Sequence, residues 1–223
     1  MAAKPTRIAV FDCDSTLSSI EGIDELARWR SPEIFAQCEA LTNRAMGGQT
    51  RLEDVFARRL DLIRPTRSDM AKLGQLYLET LVPGAEETVA TLHAEGWAVW
   101  ILSGGLLPAI EPLANHLHIE HLAAVPITFH PDGSYTNFDR SFPTTRSGGK
   151  PDYLRAARAQ LPSSHIIAMI GDGASDLETV PVVDCFIGYG GVIARETVRA
   201  QAPHFVLEIR DTLPILRSIL PPS

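Results

Sequence analysis

The stretch RIAVFDCDSTLSS, Arg7 to Ser19, decides the fold. A short continuous apolar run, Ile8 to Phe11, breaks off in two carboxylates, Asp12 and Asp14, followed by hydroxyls. Continuous rather than alternating hydrophobicity marks a strand buried on both faces of a parallel sheet. Open sheets of that kind bind ligands beyond the carboxyl ends of their strands. The two acids stand at such an end, although paired acids after a strand more often form a solvated turn.

Working outward, the pattern recurs in WAVWIL (97–102), HIIAMI (165–170), CFIGY (185–189) and HFVLEI (204–209). Helical patterns separate these runs. AEETVATLHAEG stops at Gly96, PDYLRAARAQL opens with Pro151 in its first turn, and GVIARETVRAQA follows the fourth run. The alternation predicts an α/β fold, doubly wound around a mainly parallel sheet. From about 19 to 78 only helical patterns occur. TRLEDVFARRLDLI (50–63) begins with a capping box, Thr50 and Glu53, and carries Leu52, Val55, Phe56, Leu60 and Ile63 on one face. The expectation is a core of residues 1–18 and 79–223 with an all-helical cap, 19–78, inserted after the first strand. Asp132-Gly133, within ITFHPDGSYTNFD, predicts a hairpin turn.

Composition narrows the function classes. The 223 residues are 45% hydrophobic and 21% charged, with a formal net charge of −7. No basic stripe suggests a nucleic-acid partner. No apolar stretch approaches membrane-spanning length, and MAAKPTRIAVF is a poor secretory signal. Cys13, Cys38 and Cys185 are odd in number and widely spaced, which fits neither a disulfide framework nor a zinc site. A cytoplasmic setting follows as the expectation.

The first three strand ends then carry candidates. DCDST follows the first run, SGG (103–105) the second and GDGASD (171–176) the third, while SGGK (147–150) precedes a helix. Alone, SGG is a flexible loop, GDG a tight turn and Lys150 a surface lysine. Together they bring acids, a hydroxyl, glycines and a lysine to one edge of the sheet. His116, His118 and His121 in HLHIEH fit one face poorly and read as solvated or packed rather than metal-binding. Cys13 points away from its flanking acids by alternation and reads as a buried structural thiol.

DCDST resembles the D-x-D-x-T motif of the haloacid-dehalogenase-superfamily phosphatases, and SGG, the lysine and GDGASD resemble the rest of that motif set in order. EGIDELA (21–27), RAMGG (44–48), ILSGG (101–105) and SGGK narrow the resemblance to the phosphoserine phosphatase family, over nearly the whole chain. The chemistry agrees. A phosphate monoester hydrolyses very slowly unaided. Asp12 can attack to form an aspartyl-phosphate. Asp14, on the same side of an extended chain, can protonate the leaving oxygen. Mg²⁺ would relieve the repulsion between acids and phosphate, with Asp12 and Asp172 as its natural carboxylate ligands and Asp176 orienting metal-bound water behind them. The resemblance adds the backbone carbonyl of Asp14 to the ligands. Ser103, Gly104, Gly105 and Lys150 offer donors to the phosphoryl oxygens. Ser175 stands where the family usually has threonine or asparagine and keeps a hydroxyl.

Arg59 lies on the apolar face of its helix. Pattern alone leaves open whether it snorkels outward or turns inward to a carboxylate. The resemblance assigns it to the substrate carboxylate, Glu21 to an amino group, and Met46 and Gly47 to the pocket wall. It therefore implies a Mg²⁺-dependent enzyme that hydrolyses O-phospho-L-serine to L-serine and phosphate, the last step of serine biosynthesis. A small-molecule substrate is implied, with no nucleic acid and no membrane; the residues give no indication of oligomeric state. A phosphotransferase passing the group to an alcohol such as homoserine shares every motif. A non-catalytic phospho-ligand binder would not need the acid pair.

Overall fold

The computed structural model describes residues 7–46, 51–162 and 164–219. Its centre is a sheet of β1 (Arg7–Phe11), β2 (Ala98–Leu106), β3 (His121–Val125), β6 (Ile166–Gly171), β7 (Cys185–Tyr189) and β8 (His204–Val206). Their spatial order is β3-β2-β1-β6-β7-β8, and every pairing is parallel. The predicted doubly wound sheet is present. Chain order runs outward in one direction from β1 and in the other from β6. The topological switch point therefore lies between β1 and β6, where Phe11 pairs with Ile170.

The continuous apolar runs are explained by burial on both sides. Ala9 and Phe11 belong to one core and Ile8 and Val10 to the other. Leu154 of α7 (Gly149–Ala159) and Val198 of α9 (Glu196–Gln201) cover the second face. The first face packs against α5 (Ala85–Ala94) and α6 (Leu107–His116) through Val89, Leu92, Ala109 and Leu113.

Among the described residues, four helices occupy the segment between β1 and α5: α1 (Gly22–Arg30), α2 (Pro32–Met46), α3 (Leu52–Ile63) and α4 (Arg67–Glu79). The apolar face read from the sequence is real, since Val55, Phe56, Leu60 and Ile63 of α3 are buried. Its cap is different. Arg51 is the N-cap and makes no side-chain capping bond, while Glu53 pairs with Arg51 at 2.8 Å. Thr50 lies outside the described residues. A true capping box opens α4 instead, where Thr66 Oγ1 accepts from the Asp69 N–H at 3.2 Å and Asp69 Oδ2 accepts from the Thr66 N–H at 2.7 Å.

Three strand expectations shift. β2 does not stop at Leu102 but runs through the SGG to Leu106, with an irregular register against β3 between Leu102 and Leu106. The last run forms a strand only over His204–Val206. HLAAV, β3, carried no signal in the sequence because its alanines lack strand propensity. The hairpin is as read: β4 (Ile127–Phe129) and β5 (Tyr135–Phe138) pair antiparallel, and Gly133 turns between them at φ 87°. Among the described residues no helix is long and apolar enough to cross a membrane.

Candidate active site

Immediately after β1 the chain coils tightly. Cys13 O accepts from the N–H groups of Leu17 at 3.0 Å and Ser18 at 3.1 Å, and Ser15 adopts a left-handed φ of 52°. The ladder extends one step further through the Asp12 N–H to Ile170 O at 2.9 Å. That step fixes Asp12 at the switch point. Its Oδ1 accepts from the Cys13 N–H at 2.7 Å, and its Oδ2 lies 2.9 Å from Lys150 Nζ. Cys13 itself is sealed in the core, where burial pushes its thiol up and out of reactive range.

Lys150, near the start of α7, is almost wholly buried between Asp12 and Asp176, the latter at 2.6 Å. Burial alone would lower an ammonium pKa, but the two carboxylates outweigh it and raise that of Lys150. Asp176 Oδ2 also accepts from the Gly173 N–H at 2.9 Å, which closes a turn after β6. Asp172, at the tip of β6, accepts from the Thr16 hydroxyl at 3.2 Å and from Arg195 Nε at 2.9 Å. Burial, with the Asp12 charge beside it, raises its pKa.

Asp14 faces the same cavity. One oxygen, Oδ1, accepts from the Gly22 N–H and from the Tyr77 hydroxyl, each at 2.7 Å. Burial, reinforced by Asp12, pushes the carboxyl up to about 6 despite those donors. Glu21 accepts from Ser15 Oγ at 2.9 Å and from Arg195 Nη2 at 3.0 Å. Burial and the charges of Asp14 and Asp172 raise it to about 8.

The cavity that joins these groups measures about 220 Å³. Of the residues singled out in the sequence, Asp12, Asp14, Glu21, Arg59, Gly104, Lys150, Asp172 and Ser175 line it. Arg59 therefore turns inward rather than out to solvent, and Asp24 on α1 accepts from one of its terminal nitrogens. Asp176 sits behind Lys150. Ser103 is fully buried, and its Oγ accepts from the Gly105 N–H at 2.9 Å. Gly104 and Gly105 lie in the last residues of β2 before α6 rather than in a helix's first turn. Met46 ends α2, and Gly47 lies outside the described residues. His121 stacks on Trp100 at 3.9 Å and shares a hydrogen bond with Tyr153 at 2.9 Å, a packed role.

Sequence reasoning missed Arg195, which links Glu21 to Asp172 across the cavity. It precedes α9 shortly beyond the end of β7, so following all five strand runs to their ends, rather than three, reaches it. Tyr77 carried no local signal, because it reads as an ordinary apolar-face residue of α4.

Asp12, Asp172 and Asp176 are buried and offer carboxylate oxygens within 4.8 Å of one another. Asp12 and Asp172 line the cavity whereas Asp176 does not, which makes the first two the better direct ligands. The upward shifts of Asp14, Glu21 and Asp172 come first from burial and then from the acids beside each of them. An all-oxygen, acid-rich donor set fits a hard divalent cation.

Comparison with known proteins agrees with this geometry. A haloacid dehalogenase-like hydrolase family model matches residues 9–180. The phosphoserine phosphatase of Drosophila melanogaster is 37% identical over 210 residues, spanning 93% of this chain and 77% of that protein. That of Mus musculus is 37% identical over 205 residues, spanning 91% of this chain and 90% of that one. The crystal structure of a phosphoserine phosphohydrolase-like protein from Francisella tularensis superposes with a TM-score of 0.82 at 28% identity, covering 94% of this chain and 99% of that one. On the family match over residues 9–180 and these relatives, the chain belongs to the haloacid dehalogenase-like hydrolases, within their phosphoserine phosphatase family.

Proposed function

We propose that this protein is a Mg²⁺-dependent phosphatase that converts O-phospho-L-serine and water to L-serine and phosphate through an aspartyl-phosphate on Asp12. One observation carries the reading: Glu21 and Arg59 line the same small cavity as Asp12 and Asp14. A carboxylate and a guanidinium opposite a nucleophile–acid pair suit a zwitterion bearing a phosphate ester.

The residues divide the work. Asp12 attacks phosphorus while Lys150 holds its carboxylate in place and offers charge to the phosphoryl oxygens. The Gly104 N–H and the Ser103 hydroxyl, whose oxygen the Gly105 N–H holds, are the remaining donors, with Ser175 at the cavity wall. Asp14 gives its proton to the serine oxygen and takes one back from the attacking water. Arg59, anchored by Asp24, reads the substrate carboxylate. Glu21, oriented by Ser15 and Arg195, reads the ammonium, and the family resemblance adds Met46 and Gly47 to the substrate contacts. Asp12, Asp172 and the Asp14 carbonyl would hold Mg²⁺, with Asp176 placing a metal-bound water behind them. The ion, when bound, supplies charge neutralisation at the phosphoryl group.

Residues 1–18 and 79–223 form the catalytic core in this account, and 19–78 the cap that selects the substrate. The setting is the cytoplasm, where serine would be made. Phosphate release from phosphoserine should require Mg²⁺ and fall at least about 10⁴-fold in Asp12→Asn, as removal of a nucleophile does. Full activity in Asp12→Asn would refute the covalent route. Transfer of labelled phosphate to homoserine in preference to water would make the protein a phosphotransferase.

A further inference from the structure

Tyr77 lies in the last turn of α4, fully buried, and its hydroxyl is aimed at a single atom, Asp14 Oδ1. The hydroxyl donates to that oxygen at 2.7 Å. The Gly22 N–H donates to the same oxygen. The two donors come from opposite ends of the helical insertion, one opening α1 and one closing α4. Gly22 must lack a side chain for this to hold, because a Cβ there would collide with the Tyr77 hydroxyl.

An oxygen that accepts two hydrogen bonds has no lone pair left for a proton of its own. The proton of a neutral Asp14 therefore resides on Oδ2. That oxygen lies against Gly105, 3.0 Å from where a Cβ would stand, at the SGG end of β2. We propose that Tyr77 is a positioning residue that, with the Gly22 N–H, locks the Asp14 carboxyl so that its proton is carried on Oδ2 and presented to the leaving oxygen. This rests on Asp14 acting as the acid of the proposed reaction. As an Asp12 oxygen bonds to phosphorus, the ester P–O bond breaks and its electron pair passes to the serine oxygen. That oxygen takes the Asp14 Oδ2 proton and leaves as an alcohol, and Asp14 becomes a carboxylate. Water later returns a proton to Asp14 as it attacks the aspartyl-phosphate.

Leaving groups separate this role from a structural one. The serine oxygen needs a proton as it departs, whereas a nitrophenolate does not. In single-turnover experiments on the Mg²⁺-loaded enzyme, Tyr77→Phe should slow phosphoserine cleavage roughly tenfold, a fraction of the about 10²–10⁴-fold that a general acid contributes. The burst of nitrophenol from p-nitrophenyl phosphate should change less than about twofold. Gly22→Ala, which displaces the same hydroxyl without altering Tyr77, should give the same selective loss and serves if Tyr77→Phe does not fold. In an Asp14→Asn background, Tyr77→Phe should have no further effect on phosphoserine. Equal slowing of both substrates, or no slowing of either, overturns the role of Tyr77. Failure of the unmodified enzyme to cleave phosphoserine would instead overturn the proposed reaction.

Discussion

Lys150 Nζ stands 2.9 Å from Asp12 Oδ2, inside the protein and almost out of reach of water. Asp176 holds the other side of the ammonium at 2.6 Å. Breaking a buried pair by removing one partner leaves an uncompensated charge. Lys150→Met should therefore lower stability by roughly 3 kcal/mol in urea unfolding. It should also lower kcat by at least about 10²-fold, the scale of losing one donor to transition-state charge. An unfolding midpoint equal to that of the unmodified protein would mean that the pair carries no net stabilisation.

Arg59 bears on specificity. It reaches the cavity from the cap and would meet only a substrate that carries a carboxylate. Arg59→Ala should raise KM for phosphoserine about 10- to 100-fold, the worth of one or two hydrogen bonds to a charged group. KM for p-nitrophenyl phosphate should stay within about twofold. Equal changes in both would assign Arg59 to cap packing, where its contact with Asp24 already places it.

Metal binding can be read without catalysis. A ligand that binds only the folded state at 100 times its dissociation constant adds about 2.7 kcal/mol. For a chain of this length that is a rise of about 5 to 10 °C in Tm on adding Mg²⁺. Asp172→Asn should abolish most of the rise, and EDTA should reverse it in the unmodified protein. An undiminished rise in Asp172→Asn would move the ion elsewhere.

The cap has its own pH signature. Burial would raise the Asp69 carboxyl, but the Thr66 N–H and hydroxyl and the Arg30 guanidinium outweigh it and hold its pKa below the usual carboxylate value. A depressed folded pKa contributes stability above the unfolded pKa, and that contribution is lost as pH falls through the folded value. Asp69→Ala should cost about 1 kcal/mol at pH 7. The deficit should hold down to about pH 4, the unfolded pKa of an aspartate, and shrink below it. A deficit independent of pH down to 2 would mean that Asp69 acts through packing alone.

The core was legible because its physics is local. A strand buried on both faces must be continuously apolar, and Ile8 to Phe11 obey that rule in their alternation between the two cores. Strand ends in a doubly wound sheet are where chemistry collects, and that placed Asp12, Asp14 and Asp172 before any coordinates, with Lys150 read at a helix start beside them. Arg59 needed the resemblance, since a helical pattern cannot say whether a cation on an apolar face turns in or out. Arg195 and Tyr77 stayed hidden for another reason. Their partners lie far along the chain: Glu21 is 174 residues from Arg195, and Asp14 is 63 from Tyr77. No spacing rule spans such distances. The capping box at Thr66–Asp69 went unread although it is spelled much like Thr50–Glu53, because only the backbone at a helix start shows whether such a box closes.

The central claim is that the cavity reads a phosphorylated amino acid. The most direct measurement is kcat/KM for phosphate release, with Mg²⁺, across O-phospho-L-serine, O-phospho-L-threonine, phosphotyrosine, glycerol phosphate and sugar phosphates. The account predicts that O-phospho-L-serine exceeds every non-amino-acid ester by at least about tenfold, the contribution of one well-placed charged hydrogen bond. A glycerol or sugar phosphate that equals or exceeds phosphoserine would contradict it.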